Sequence, residues 1–117
     1  LENVFSGVSK VTEEGTSLVD VGEGVYIETA FKKSGNATIY VRPEDIILSV
    51  QPIISSARNT FEGRIVQVSD LGPSVKLKVR AGKDFIAQIT KRSFNEMQLN
   101  LDLKVFLAFK ASAVQIV

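Results

Sequence analysis

The sequence contains no cysteine and no histidine, and it lacks the G-x-x-x-x-G-K-[ST] loop that cradles nucleotide phosphates. Without cysteine there is no disulfide, no thiolate metal site and no cysteine nucleophile. Without histidine the chain lacks the commonest general base and the commonest transition-metal ligand. We therefore predict that these 117 residues are not an enzyme, hold no resident metal ion and bind no organic cofactor.

Neither a strong charge nor a long apolar run is present. The 14 basic and 13 acidic side chains leave a net charge of +1, whereas nucleic-acid-binding modules usually carry a basic excess. No apolar run approaches the roughly 18 to 20 residues that span a bilayer, and no segment resembles a secretion signal. Nucleic acid is therefore not an expected partner. The following aromatic residues are interpreted as core side chains and not as a base-stacking platform: Phe5, Phe61, Phe85, Phe94 and Phe109.

Short alternating or β-branched segments are separated by turn residues at regular intervals, which is typical of an all-β barrel or sandwich. In Ser74–Val79, Val75 and Leu77 alternate with lysines, so one face of that strand is predicted to be buried. The predicted strands are Asn3–Val11, Ser17–Val21, Val25–Phe31, Ala37–Val41, Ile46–Val50, Asn59–Val68, Ser74–Val79, Asp84–Ile89, Lys104–Lys110 and Ala113–Val117.

Two helical segments interrupt the predicted strands. Thr90 is placed as the N-cap of a helix through "TKRSFNEMQL", in which Phe94, Met97 and Gln98 or Leu99 form an apolar side. The stretch "RPEDI" is predicted to form a single helical turn with Pro43 at its first position.

The two halves of the sequence repeat each other. "NVFSGVSKVTEEG" aligns with "NTFEGRIVQVSDLG", which pairs Asn3 with Asn59 and Gly7 with Gly63 at one offset. Such a repeat indicates two related five-stranded units. The predicted fold is all-β, with two tandem units of the oligonucleotide/oligosaccharide-binding (OB) barrel type and one short helix. We place the first unit at residues 1–54 and the second at residues 55–117, together forming one compact domain.

Three clusters in the second half carry hydroxyls, cationic nitrogens and turn N–H groups, and none of them contains a carboxylate. A tetrahedral dianion needs several N–H and O–H donors from different directions and one or two fixed positive charges. Each residue taken singly has an ordinary interpretation as a helix cap, turn residue or solvated charge. As an ordered set they predict an oxyanion site: Ser56-Ala57-Arg58-Asn59, Thr90-Lys91-Arg92-Ser93 and Lys110-Ala111-Ser112.

The order of these motifs resembles a known family. "SARN", a strand with Gly63 and Gly72, then "AQIT" with a following serine, then "FKASAV" resemble the molybdate-binding Mop (molbindin) repeat. "VRPEDI" resembles the transport-associated OB (TOBE) region that follows the nucleotide-binding domain of importer ATPases. Taken together, the chain resembles the C-terminal regulatory domain of the ATPase subunit of a molybdate/tungstate ABC importer. Because the chain starts at Leu1 and not at Met, we interpret it as a domain of a longer protein.

The resemblance implies that molybdate or tungstate is the ligand and that this part of the protein holds no catalytic residue. The implied partners are a second copy in a homodimer, an upstream ATPase domain and a transmembrane permease, so the expected location is cytoplasmic and peripheral to the membrane. The implied site lies between subunits or repeats, with two equivalent anions expected per symmetric dimer. Its residues are Ser56, Ala57, Arg58, Asn59, Thr90, Ser93, Lys110, Ala111 and Ser112.

The sequence departs from the family pattern at two points. Asp102 stands about where the family has glycine, a change that turn geometry tolerates. The first half has no equivalent of SARN or FKAS and offers Arg42-Pro43-Glu44 where the second half offers Lys110-Ala111-Ser112. Because Glu44 and Asp45 would repel an anion, we expect no site formed by the first half alone.

The preferred hypothesis is a regulatory sensor, in which high cytoplasmic molybdate or tungstate fills the interface, ties two domains together and stops import. A ligand that binds only the joined state stabilises that state by mass action. Three alternatives remain open: a structural dimerisation TOBE domain of an importer ATPase for another substrate, a free-standing molybdate-binding storage protein and, least favoured, an OB domain for RNA or single-stranded DNA.

Overall fold

A computed structural model describes residues 1–117, which form ten strands, one α-helix and two 3-10 turns. None of the helical segments is long and apolar enough to cross a membrane. The α-helix is α1 (Lys91–Glu96), and the first and second 3-10 turns are Pro43–Asp45 and Ala111–Ala113. The strands are β1 (Val4–Val11), β2 (Ser17–Asp20), β3 (Tyr26–Thr29), β4 (Gly35–Tyr40), β5 (Ile47–Ser49), β6 (Asn59–Asp70), β7 (Ser74–Ala81), β8 (Lys83–Thr90), β9 (Lys104–Phe109) and β10 (Gln115–Ile116).

Each of the two five-stranded sheets takes its fifth strand from the other half of the sequence. One sheet has the order β10-β4-β1-β2-β3 and the other has the order β5-β9-β6-β7-β8. The two orders become identical when β1 to β5 are exchanged with β6 to β10, so the sequence repeat is also a repeat of topology. The predicted all-β fold with two five-stranded units is confirmed, and the exchange of the fifth strands is an addition that the sequence did not indicate.

The two sheets share a single hydrophobic core of 20 buried residues. Three of its phenylalanine rings, together with the partly buried ring of Phe61, form a group of contacting rings. The ring centroid of Phe85 lies 5.1 Å from that of Phe5, 5.4 Å from that of Phe61 and 6.1 Å from that of Phe109. Such pairs contribute about 0.5–1.5 kcal/mol beyond the burial of their area. Of the five predicted core phenylalanines, Phe5, Phe85 and Phe109 are buried in the core, and Phe61 and Phe94 are partly buried and pack against it.

The local predictions agree with the structure at most positions. Every strand end lies within two residues of its predicted position, and Thr90 is the N-cap of α1, as predicted. Pro43 begins the predicted single turn. The second 3-10 turn was not predicted, and it removes Ala113 from the predicted last strand. It follows an extended Lys110, as the first 3-10 turn follows an extended Arg42, so the two turns occupy equivalent places in the repeat.

Two further expectations about single positions are confirmed. In β7, Val75 and Leu77 are completely buried while the intervening Lys76 is half-buried, as the alternation of the sequence predicts. Asp102 has a φ of 67°, so the position at which the family has glycine does adopt a turn conformation. Aspartate is among the few residues that tolerate this left-handed region.

Candidate functional site

Two of the three predicted clusters meet at one cavity of about 320 Å³, lined among others by Ser56, Ala57 and Lys110. We call it the serine–lysine cavity. Its donors converge because Ser56 and Ala57 precede β6 and Lys110 follows β9. These two strands pair antiparallel, with Asn59 opposite Phe109. The start of one strand therefore lies beside the end of the other.

Several donors at the serine–lysine cavity have no internal partner. The backbone amides of Ser56 and Lys110 donate to no protein acceptor, and neither does that of Arg58, which follows Ala57 but does not line the cavity. The Lys110 ammonium forms no ion pair. The Ala57 amide, in contrast, donates to Oγ of Ser55 at 3.1 Å. A lysine ammonium close to unpaired backbone N–H groups is an arrangement suited to an anion.

Two carboxylates also line the serine–lysine cavity, which the carboxylate-free clusters of the sequence did not indicate. They belong to Glu44 and Asp45 of the first 3-10 turn. The Arg42 guanidinium donates to both carboxylate oxygens of Asp45, at 2.9 Å and 3.2 Å. This hydrogen bonding raises the pKa of Arg42 above its ordinary value, and the Coulomb attraction to Asp45 adds to the shift. Glu44 forms no ion pair.

The third cluster lies at a separate cavity of about 460 Å³, which we call the threonine cavity and which Thr90 and Ser93 line. The Thr90 hydroxyl accepts from the Ser93 amide at 3.1 Å and donates to Oγ of Ser93 at 3.0 Å. Thr90 is therefore occupied as a helix cap. Glu44 and Ile47 line both cavities. A single chain does not bring all three clusters to one cavity.

Arg58 and Asn59 both contact Glu28 of β3 and do not line the serine–lysine cavity. The Nε atom of Arg58 lies 3.6 Å from Oε2 of Glu28, and the arginine side chain is 68% exposed. Asn59 is buried. Its Oδ1 accepts from the Glu28 amide at 2.8 Å, and its Nδ2 donates to the Glu28 carbonyl at 2.9 Å. The Asn59 side chain is thus committed to joining β6 to β3.

Ala111 and Ser112 lie in the second 3-10 turn, directly after Lys110. Ala111 is buried, and its carbonyl accepts from the Ala30 amide at 3.3 Å. Ser112 is exposed to solvent. Neither residue lines the serine–lysine cavity, although Ala113 does.

Six residues that line the serine–lysine cavity were absent from the predicted site: Ser55, Phe109, Ala113, Glu44, Asp45 and Ile47. Ser55 could have been found, because it extends the run of hydroxyls that ends at Ser56. Phe109 and Ala113 lie close to Lys110 in the sequence, whereas Glu44, Asp45 and Ile47 lie in the first half and reach the cavity because β5 pairs with β9. No local pattern indicates that pairing.

Comparison with known proteins identifies a family and its relatives. The model of the TOBE domain matches residues 55–116. Over 116 residues the chain is 36% identical to the molybdate/tungstate import ATP-binding protein WtpC of Pyrococcus abyssi and 33% identical to that of Pyrococcus horikoshii. Each alignment covers 98% of this chain, and the chain spans 32% of the length of each relative.

A solved structure shares the fold. It is the cytoplasmic molybdate-binding protein ModG in a form with molybdate bound, and it superposes with a TM-score of 0.84 over 97% of this chain and 94% of that chain. The sequence identity is 20%. The likeness therefore establishes the common architecture of the two proteins and not a common site.

Proposed function

Because the chain belongs to the TOBE domain family, we propose that it binds a tetrahedral oxyanion, molybdate or tungstate, as the regulatory domain of an importer ATPase. The names of its relatives associate them with import of these anions. The observation that carries the proposal is the convergence of Ser56, Ala57 and Lys110 on one cavity that has unpaired backbone amides nearby. This combination supplies directional donors and a positive charge to a dianion.

We assign a role to each residue of the proposed site from the donor groups that its internal hydrogen bonds leave free. Lys110 supplies the cation, Ser56 supplies its hydroxyl and amide, and the Ala111 amide with the hydroxyl of Ser112 completes the free donors of one chain. The Ala57 amide joins them after leaving Oγ of Ser55. Arg58, which is largely exposed, contributes its charge after leaving Glu28. Asn59 holds the loop through its two hydrogen bonds to Glu28.

The proposed site is completed by a second copy of the chain. Thr90 and Ser93 line a different cavity from Ser56 and Lys110, so in this proposal they approach the anion from the partner in a homodimer. A two-fold axis relates the two copies, so the contact is repeated and two equivalent anions bind per dimer.

Bridging of two copies by the anion is the proposed means of regulation. A ligand that binds only the joined state stabilises it by about 2.7 kcal/mol at a hundredfold excess over Kd. In this proposal high cytoplasmic molybdate or tungstate holds the attached ATPase domains apart and stops import. ATP hydrolysis belongs to an upstream domain, this chain contributes no catalytic residue, and the protein lies in the cytoplasm against the membrane permease.

Calorimetric titration and thermal unfolding with tungstate, molybdate and sulfate test the proposal. We expect the first two anions to release binding heat and raise the Tm of the 117-residue chain, and the smaller sulfate to do so far less. Lys110→Ala should remove most of this response because the cation is lost. Lys10→Ala, which removes an exposed lysine of β1, is the matched control and should respond like the wild type.

Two results would count against the proposal. If neither molybdate nor tungstate gives heat or a Tm increase, the chain is not an oxyanion sensor. If sedimentation then shows a dimer that persists in the Arg58→Ala/Lys110→Ala double variant, a structural dimerisation domain becomes the better description.

A further inference from the structure

Glu44 is the one charged residue that lines both the serine–lysine cavity and the threonine cavity. It is exposed, forms no ion pair and caps no backbone group of its turn. The neighbouring carboxylate of Asp45 differs, because the Arg42 guanidinium pairs with both of its oxygens. Glu44 therefore presents to any anion in these cavities a negative charge that no ion pair neutralises, with only Coulomb attraction from Arg42, whose guanidinium is paired with Asp45.

The charges that line the serine–lysine cavity nearly cancel. Lys110 contributes one positive charge, Glu44 contributes one negative charge, and the charge of Asp45 is balanced by Arg42. Coulomb attraction between Lys110 and a bound anion is thus opposed by repulsion from Glu44. The donors that remain to hold the anion are N–H and O–H groups, whose contribution does not scale with the net charge of the cavity.

We propose that Glu44 limits the affinity of the oxyanion site. Its charge raises the logarithm of Kd about twice as much for a dianion as for a monoanion of the same shape. The inference rests on the proposed function, since it concerns an oxyanion held at Ser56 and Lys110. A site limited in this way fills only when the anion is abundant, as a sensor of excess requires. Glu44 is a specificity-determining residue that acts through charge alone.

A comparison of tungstate with perrhenate distinguishes an effect of the ligand's charge from an effect of its shape. Both are tetrahedral four-oxygen anions of similar size, and they carry two and one negative charges. The Kd of each is measured for the wild-type chain, for Glu44→Gln and for the control Glu14→Gln. Glu14 is exposed in the turn between β1 and β2 and lines neither cavity. Thermal unfolding without anion checks that the variants are folded, and Glu44→Ala serves as a second variant that removes the charge.

We expect Glu44→Gln to lower the Kd for tungstate about tenfold and the Kd for perrhenate about threefold. Both factors should shrink in high salt, because ions screen the repulsion, and Glu14→Gln should change neither Kd. A merely structural effect on the turn would alter both anions by the same factor.

The outcomes for Glu44 and for the proposed function are distinguishable. Wild-type binding of tungstate with no tightening in Glu44→Gln, or with equal factors for the two anions, overturns the role of Glu44 and leaves the proposed function in place. An absence of tungstate binding by every variant overturns the proposed function and the inference together.

Discussion

Asn3 and Asn59 form the same pair of hydrogen bonds, each to a strand in the opposite half of the chain. Oδ1 of Asn3 accepts from the Ile86 amide at 2.6 Å, and its Nδ2 donates to the Ile86 carbonyl at 2.8 Å. Oδ1 of Asn59 likewise accepts from the Glu28 amide at 2.8 Å, and its Nδ2 donates to the Glu28 carbonyl at 2.9 Å. Ile86 lies in β8 and Glu28 in β3, each at the edge of its sheet. Each amide therefore satisfies edge-strand groups that would otherwise remain open and ties the halves together.

Asn3→Ala is expected to lower the free energy of unfolding by about 2–4 kcal/mol. The variant loses the two hydrogen bonds to Ile86 and a third to the carbonyl of Val41. It also places alanine at a φ of 55°, which asparagine tolerates better. Urea unfolding measures the change. Asn36→Ala, at an exposed position of β4, is the control and should cost less than about 0.5 kcal/mol. A loss no larger than that of the control would show that the Asn3 contacts do not hold the halves together.

Gly7 and Gly63 mark an equivalent close approach in each sheet. A Cβ atom at Gly7 would overlap the carbonyl oxygen of Asp20, and one at Gly63 would overlap that of Arg80. A main-chain carbonyl cannot move aside like the end of a flexible side chain. We therefore expect alanine at either position to destabilise the fold by about 1–3 kcal/mol, measured by urea unfolding. Thr60→Ala, at an exposed site of β6, is the control. Full stability of both alanine variants would contradict the close approach.

Much of the fold could be predicted because its determinants are local. The side chains of β7 alternate between buried and solvated, and Thr90 caps its own helix. The sequence repeat also places an asparagine and a glycine at equivalent positions of each half, and both glycines lie against a main-chain carbonyl. The exchange of β5 and β10 could not be predicted. A strand as short as Ile47–Ser49 carries no pattern that identifies its partner, and its position depends on the packing of the whole core.

The convergence of donors at the candidate site was predictable to the extent that it depends on neighbouring strands. Ser56 and Lys110 line one cavity because β6 pairs with β9. The contact of Arg58 with Glu28 and the placement of Glu44 depend on how the two halves meet. The clusters in the sequence show which donors exist. They do not show which charged residues of a distant segment will line the same cavity.

A pH-dependent prediction follows from Asp84. The Arg80 guanidinium donates to both carboxylate oxygens of Asp84, at 2.9 Å and 3.3 Å, and this hydrogen bonding, more than the Coulomb attraction, holds the pKa of Asp84 below its ordinary value. Because the pKa is lower in the folded state, the pair stabilises the fold above the unfolded-state pKa, and this stabilisation is lost as the pH falls through the folded-state pKa.

Arg80→Gln should therefore return the pKa of Asp84 towards its ordinary value of 3.8, as read from the NMR titration of its carboxyl carbon. Arg64→Gln is the control. The Arg64 guanidinium donates to the carbonyl of Asp102, so its removal should leave the pKa of Asp84 unchanged. An unaltered titration of Asp84 in Arg80→Gln would mean that the pair does not persist in solution.

The exchange of fifth strands makes the two halves of the chain depend on each other. Residues 55–117 alone lack β5, which covers the edge of β9, and lack the first 3-10 turn, which packs against β8. They also lack Asn3, which pairs with the backbone of Ile86. We therefore expect the isolated segment 55–117 to form no stable folded monomer, and addition of the segment 1–54 to restore the β-sheet signal. Circular dichroism and size-exclusion chromatography of each segment and of the mixture measure this. A folded monomer of 55–117 that does not bind 1–54 would show that the exchanged strands are not required for the fold.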